Sequence, residues 1–204
     1  MKFLGVKIRF DLTALVLVYI FALWGWGLYE GNNVAAKVLV TALFVVAATA
    51  SLLAHEFGHI VVGRRFGAAC SRIIVFAFGA LAELSHVGRR PREAFFIAAA
   101  GPAASFGLYG LFLLGALLAP EGLVESFLAL AAFLNFLFGA FNLLLPIFPM
   151  DGGRVLHSLF WAVTGDELRG RRIAVFVAKA VLVSITALLL VLFFTGYLSW
   201  FSIV

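Results

Sequence analysis

The residues best suited to chemistry are His55, Glu56 and His59, which occupy the pentapeptide His-Glu-Phe-Gly-His. On a helix the two histidines are four residues apart, so they share one face and can bind one metal ion. Glu56 is offset from that face, where its carboxylate can act as a general base toward a metal-bound water molecule. Because zinc lowers the pKa of such a water molecule to about 7, the pattern predicts zinc-dependent hydrolysis.

A catalytic zinc ion usually has three protein ligands and one position for water, and Asp151 is the candidate for the third ligand. No charged residue occurs from residue 126 to residue 150, directly before it. Two prolines and two glycines within residues 146–153 predict a break in the helix. If the segment crosses a membrane, non-helical backbone is tolerated there only beside protein or a watery cavity. A carboxylate on such a break is therefore expected to face a site. The alternative is a loop aspartate that caps the helix beginning near Arg154.

The rest of the chain has the composition of a membrane protein. Hydrophobic residues make up 64% of it and charged residues 12%, whereas ordinary soluble domains are about 25% charged. A net charge of +5 would also suit a nucleic-acid partner. The charged residues cluster in short segments between apolar runs, so no nucleic acid is expected. The single cysteine, Cys70, excludes an internal disulfide.

Five apolar runs are long enough to cross a bilayer, given about 20 residues per crossing. They are residues 12–29, 34–62, 94–120, 126–150 and 180–204. Residues 155–165 are too few to span, which predicts an interfacial or buried helix. Residues 72–84 are rich in β-branched and aromatic side chains around Gly79, which predicts extended or hairpin structure. Such a segment must lie in the membrane interface or against protein.

The expected fold is therefore an all-α polytopic membrane protein. It has five or six transmembrane helices, a small membrane-associated β region and a broken fourth span. Residues 1–204 are expected to form a single transmembrane domain. The small side chains along residues 98–110, which include Gly101 and Ser105, predict helix–helix contact without a chemical role.

The positive residues predict the orientation. Apart from Lys37, they lie in three groups, within residues 2–9, 64–92 and 154–179, all on the same side of the five spans. The positive-inside rule then places the N-terminus in the cytoplasm of a multi-pass protein of the cell (inner or plasma) membrane. His59 precedes Arg64 by five residues, so the site is expected toward the cytoplasmic side, where water can reach it.

The two motifs together resemble the site-2 protease family of intramembrane zinc metalloproteases. The resemblance covers most of the chain in order, through His-Glu-Phe-Gly-His, the Gly79 region, Ala100-Gly101-Pro102, Asn135, Phe141-Asn142 and Pro-Ile-Phe-Pro-Met-Asp-Gly-Gly-Arg. The lack of a PDZ insertion resembles the compact prokaryotic, sporulation-type branch.

The resemblance implies a role for each site residue. His55, His59 and Asp151 would bind Zn²⁺, Glu56 would be the catalytic base, and Asn142 would assist the substrate carbonyl or oxyanion. The family usually has two residues between that asparagine and the first proline, whereas this chain has three, residues 143–145. One extra residue rotates Asn142 by about 100° on a helix relative to the family's pattern.

The implied function is an intramembrane zinc endopeptidase that hydrolyses peptide bonds in or near transmembrane segments of membrane-anchored proteins. Regulated intramembrane proteolysis, such as release of a transcription or sigma factor, is one such activity. Its partners would be a transmembrane substrate protein and the lipid bilayer, and the sequence indicates no oligomeric state. The alternative is a membrane metal-ion transporter or metal-binding membrane protein with the same ligands, although transport has no evident need for Glu56. An inactive protease-like scaffold ranks lower because every site residue is present.

Overall fold

Helices dominate the computed structural model, which describes residues 2–3 and 5–195. The described strands are β1 (Lys2–Phe3), β2 (Val6–Phe10), β3 (Cys70–Phe76) and β4 (Gly79–Leu84). The described helices are α1 (Ala14–Trp26), α2 (Val34–Arg65), α3 (Pro91–Leu118), α4 (Leu123–Leu144), α5 (Asp151–Thr164) and α6 (Glu167–Phe194). The predicted short helix after the fourth span is confirmed as α5.

Four of the described helices, α2, α3, α4 and α6, are long and apolar enough to cross a membrane. The helix in the predicted first span, α1, has only 13 residues and would measure roughly 20 Å. It begins late because residues 11–13 form a turn. In that turn Oδ1 of Asp11 accepts hydrogen bonds from N and Oγ1 of Thr13.

The last helix begins earlier than the sequence suggested. Oδ1 of Asp166 accepts hydrogen bonds from the backbone N–H groups of Leu168 and Arg169 and so caps the start of α6. The basic residues 169–172 are therefore helical and not part of a loop. Residues 196–204, the end of the predicted final span, lie outside the described residues.

The four strands form one sheet in the order β1-β2-β3-β4. Strand β2 pairs in parallel with β3, and β3 forms an antiparallel hairpin with β4, in which Phe76 is opposite Gly79. The predicted hairpin is thus confirmed. Arg72 and Glu83 form an ion pair of 2.8 Å across it, and the hydrogen bond from Arg72 lowers the pKa of Glu83. Strand β4 is at the edge of the sheet, next to α2.

Helix α2 packs against the sheet, α1, α3 and α4. Near its C-terminal half, Leu52 and Ile60 pack against the sheet residues Val6, Ile73 and Val75. A second cluster, formed by Phe21, Phe44, Ala48 and Leu134, joins α2 to α1 and α4. Both histidines lie on the half of α2 that contacts the sheet and α3.

Candidate metal centre

Three buried side chains from α2 and α5 converge. Nε2 of His55 lies 3.0 Å from Oδ2 of Asp151, and Nε2 of His59 lies 3.2 Å from the same oxygen. One ligand atom from each of the three residues lies within 4.8 Å of the other two. All three residues are at most 5% exposed. The structure thus brings together the three predicted ligands, and the cluster could hold a metal ion.

A break in the chain places Asp151 there, as the sequence predicts. Helix α4 ends at Leu144, residues 145–150 are not helical, and α5 begins at Asp151. The start of α5 approaches the end of α4 closely, because a Cβ atom on Gly152 would lie 2.6 Å from the carbonyl oxygen of Leu145. The residue that caps α5 is Met150, and no side chain makes a capping hydrogen bond there. The alternative role of Asp151 as a cap is therefore wrong.

Each histidine is oriented by helix α3 through its second ring nitrogen. Nδ1 of His59 donates to the carbonyl oxygen of Ile97 at 2.7 Å. Nδ1 of His55 lies 2.9 Å from Oγ of Ser105. Because a carbonyl oxygen only accepts, Nδ1 of His59 carries a proton, which leaves Nε2 as the ring nitrogen that can bind a metal. Such outer hydrogen bonds are typical of metal-binding histidines.

The donor set fits a zinc ion. Nε2 of His59 and a carboxylate oxygen of Asp151 face each other at 3.2 Å, and both atoms can donate a lone pair to the same cation. Two imidazole nitrogens and one carboxylate oxygen make a three-residue ligand set that leaves one position of a tetrahedron open. Open space is kept by Gly101 of α3, since a Cβ atom there would overlap the ring of His59 and lie 2.7 Å from Nε2 of His55.

Adding a single methyl group at Gly101 should therefore damage the metal site. Gly101→Ala is expected to displace the imidazoles and weaken zinc binding by roughly 10–100-fold, the range typical of changes beside metal ligands. Alanine favours a helix more than glycine does, so loss of helix propensity would not explain the effect. The measurement is zinc affinity by competition with a chromogenic chelator. The matched control is Gly107→Ala on the same helix, where a Cβ atom meets nothing within 4 Å. Equal zinc affinities for the two variants would contradict the expected contact.

Glu56 and Asn142 line the same small cavity as the three predicted ligands. The cavity offers about 40 Å³ to water-sized groups, which is room for an ion and a water molecule. Oε2 of Glu56 accepts a hydrogen bond of 2.8 Å from the backbone N–H of Ala82 in β4. Nδ2 of Asn142 donates to the carbonyl oxygen of Phe138, one turn earlier in α4. The carboxylate thus borders the cavity, whereas the Asn142 amide N–H is engaged by its own helix.

Sequence reasoning missed the contribution of α3. The small side chains of residues 98–110 were expected only to allow helix contact, but Gly101 and Ser105 touch the histidine rings directly. Ile97, Gly101 and Ser105 are spaced four residues apart, so they form one face of α3 along α2. That spacing was the available signal. It was not decisive because small-residue spacing is common wherever two helices approach closely.

Comparisons with known proteins agree with this geometry. The model of peptidase family M50 matches residues 43–121 and 117–188. Rip3 of Mycobacterium tuberculosis is 35% identical over 176 residues, which are 81% of this chain and 44% of that protein. The zinc metalloprotease MJ0392 of Methanocaldococcus jannaschii is 29% identical over 203 residues, 94% of this chain and 52% of that protein.

A solved structure, the site-2 protease from Methanocaldococcus jannaschii, aligns with a TM-score of 0.61 at 26% identity. The alignment covers 98% of this chain and 84% of that one. By contrast, the chain spans only 35% to 52% of the length of the curated relatives it matches. Since the matched segment runs from the helix that carries both histidines to well beyond Asp151, the chain belongs to peptidase family M50, the site-2 protease family.

Proposed function

We propose that this chain is an intramembrane zinc endopeptidase. The observation that carries the proposal is the buried convergence of His55, His59 and Asp151 beside the carboxylate of Glu56. Three of these residues suit a metal ion, and the fourth is a base on the same cavity. The convergence occurs in a chain whose helix α2 is long and apolar enough to cross a membrane.

Each side chain has a distinct part in the proposed reaction. His55, His59 and Asp151 would hold Zn²⁺, which supplies an acidified water molecule and polarises a carbonyl. Glu56 takes a proton from the attacking water and delivers it to the leaving nitrogen of the peptide. Ser105 and the carbonyl of Ile97 hold the two imidazoles in the orientation that this requires. Asn142 lines the cavity and would contact the substrate carbonyl once its bond to Phe138 is released.

The proposed substrate is a transmembrane protein in the bilayer. A helical peptide bond is shielded by its own hydrogen bonds, so the segment must unwind before water can attack it. The cavity of about 40 Å³ is too small for that segment. The segment would therefore lie over the cavity, whose wall includes Ala80, Leu81 and Ala82 of β4. Regulated release of a membrane-tethered transcription or sigma factor is the kind of process that this activity would serve.

The proposed topology has five crossings within one domain of residues 1–204, with α1 counted as a short first span. The N-terminus is placed in the cytoplasm. Supporting this, α2 ends with Arg64 and Arg65, and α3 begins beside Arg90 and Arg92. His59 is less than two helical turns, about 9 Å, from Arg65. The site would then lie toward the cytoplasmic side, with water reaching it from there.

Metal removal tests the proposal directly. Purified protein reconstituted into vesicles with a membrane-anchored reporter is expected to cleave the reporter within or near its span. Cleavage should stop after dialysis against a zinc chelator and return when stoichiometric Zn²⁺ is added, because the three ligands alone supply no acidified water. Cleavage sites are read by mass spectrometry. Undiminished cleavage by protein shown to be free of metal would contradict the proposal.

A further inference from the structure

A second cavity, of about 230 Å³, lies beside the metal centre between the start of α3, the helix α5 and the start of α6. Its apolar wall includes Ile97, Ala98 and Phe148. Its polar side chains are Arg154 and His157 from α5, and Glu167 and Arg171 from α6. The proposed reaction uses none of these four polar residues.

The charged groups facing this cavity are two arginines and one glutamate. Within residues 5–195 neither Arg154 nor Arg171 forms an ion pair with a carboxylate, and Glu167 forms none either. Arg154 is half-buried and Arg171 is exposed, and in the described part of the chain no carboxylate pairs with either guanidinium. Planar guanidinium groups bind carboxylates through two parallel hydrogen bonds, which makes a carboxylate the matching ligand.

His157 shapes the wall of the cavity and does not compete for that ligand. Its ring is stacked on Trp161 at an interplanar angle of 13°. Nε2 of His157 lies 3.3 Å from the backbone oxygen of Glu167, so the ring N–H donates across to the start of α6. This contact joins α5 to α6 and leaves the two arginines as the cationic groups of the cavity.

The second cavity is next to the metal centre and shares one wall residue with its cavity. Arg154 lines both cavities and is one helical turn beyond Asp151. Ile97, whose carbonyl oxygen orients His59, is part of the second cavity's wall. A substrate side chain bound there would therefore belong to a residue close to the peptide bond over the metal centre. It would lie a fixed number of residues from that bond.

We propose that this second cavity binds the carboxylate of an aspartate or glutamate that flanks the cleavage site of the substrate, with Arg154 and Arg171 as specificity-determining residues. The inference rests on the proposed function, since it describes how the same site selects its substrate. Glu167, one turn before Arg171 on α6, opposes a second acidic group. The cavity would thus accept a single carboxylate at one position and not a run of them.

The observations favour a peptide over an anionic lipid headgroup. The volume of about 230 Å³ is below the range of roughly 300–1,000 Å³ typical of pockets for small molecules, which suits one side chain. The apolar wall suits the methylene groups of that side chain. Arg154 also lines the cavity of the metal centre, where a peptide substrate would lie, and this favours a side chain of that peptide over a lipid phosphate.

The test uses the full chain with Glu56→Gln, reconstituted in nanodiscs and titrated with dye-labelled single-span peptides. In this series the glutamate is moved one position at a time along the flank of the cleavage site. For each position, two matched peptides carry glutamine or lysine in place of the glutamate. Glutamate is expected to bind at least about tenfold more tightly than lysine, within a window of one or two positions. Arg171→Glu should reverse the preference, so that the lysine peptide binds more tightly. The matched control is Arg172→Glu, which is exposed on the same helix and does not line the cavity.

Three results would overturn the inference. The first is equal affinity for glutamate, glutamine and lysine peptides at every position. The second is a glutamate preference that is uniform along the flank or equally lost in Arg172→Glu, which would indicate general electrostatic attraction. The third is an effect of Arg171→Glu that appears in phosphatidylglycerol nanodiscs and not in phosphatidylcholine nanodiscs. Such an effect would indicate that Arg171 binds lipid. Because binding is read without cleavage, a negative result here is distinguishable from failure of the proposed protease activity, which the wild-type chain reports separately.

Discussion

Replacing Glu56 by glutamine is expected to reduce cleavage by roughly 10²–10⁴-fold, the usual contribution of a general base. Glutamine keeps the size of the side chain and can still interact with the backbone N–H of Ala82, which now donates to Oε2 of Glu56. It cannot accept the proton of the attacking water. Zinc binding should remain, because Glu56 does not belong to the three-residue cluster.

The experiment measures zinc content and cleavage rate on the same preparation. Glu83→Gln in β4 is the matched control, since Glu83 pairs with Arg72 on the exposed side of the hairpin and should affect the rate little. Loss of activity together with loss of zinc would indicate a structural role for Glu56. A Glu56→Gln protein that still cuts its substrate at the wild-type rate would exclude Glu56 as the base. Retained zinc without cleavage is the outcome that separates a protease from a metal-binding membrane protein.

Replacing Asp151 by alanine is expected to remove zinc from the purified protein. The two histidines would then be the only remaining protein ligands, and both lie on one helix. Loss of a direct ligand should weaken zinc binding by more than the roughly 10–100-fold typical of changes beside the ligands. Activity should fall with zinc content, and excess Zn²⁺ should restore only part of it.

Metal content per protein, measured by mass spectrometry after dialysis, checks this expectation. Asp166→Ala is the matched control, because Asp166 also begins a helix but accepts hydrogen bonds from Leu168 and Arg169 and contacts no histidine. Its loss should cost about 1 kcal/mol of helix stability and leave the zinc in place. Unchanged zinc in Asp151→Ala would remove this residue from the ligand set.

Much of the site could be predicted because its chemistry is encoded locally. The spacing of His55 and His59 is sufficient on any helix, and an apolar segment makes each charged residue in it conspicuous. Asp151 was identifiable for the same reason, together with the prolines and glycines around it. The helix boundaries were less predictable. Apolar composition does not show that Asp11 begins a turn before α1, or that Asp166 starts α6 well before the apolar run.

The contacts that complete the site depend on residues distant in the sequence. His55 and Ser105 are 50 residues apart, and His59 and Ile97 are 38 apart. Nothing in a backbone carbonyl such as that of Ile97 distinguishes it in a sequence. The same holds for the N–H of Ala82 that engages Glu56. Such backbone groups acquire a function only when the packing of two elements brings them next to a site residue.

The sequence by itself determined the membrane class, the metal-binding pattern on α2 and the candidacy of Asp151, because composition and helical periodicity are local properties. The tertiary structure decided which atoms meet. It placed the α3 face of Ile97, Gly101 and Ser105 on the histidine rings, enclosed Glu56 beneath β4, and set Arg154 between two cavities. These outcomes follow from how closely helices approach one another, and that distance is a property of the packed molecule and of no single segment.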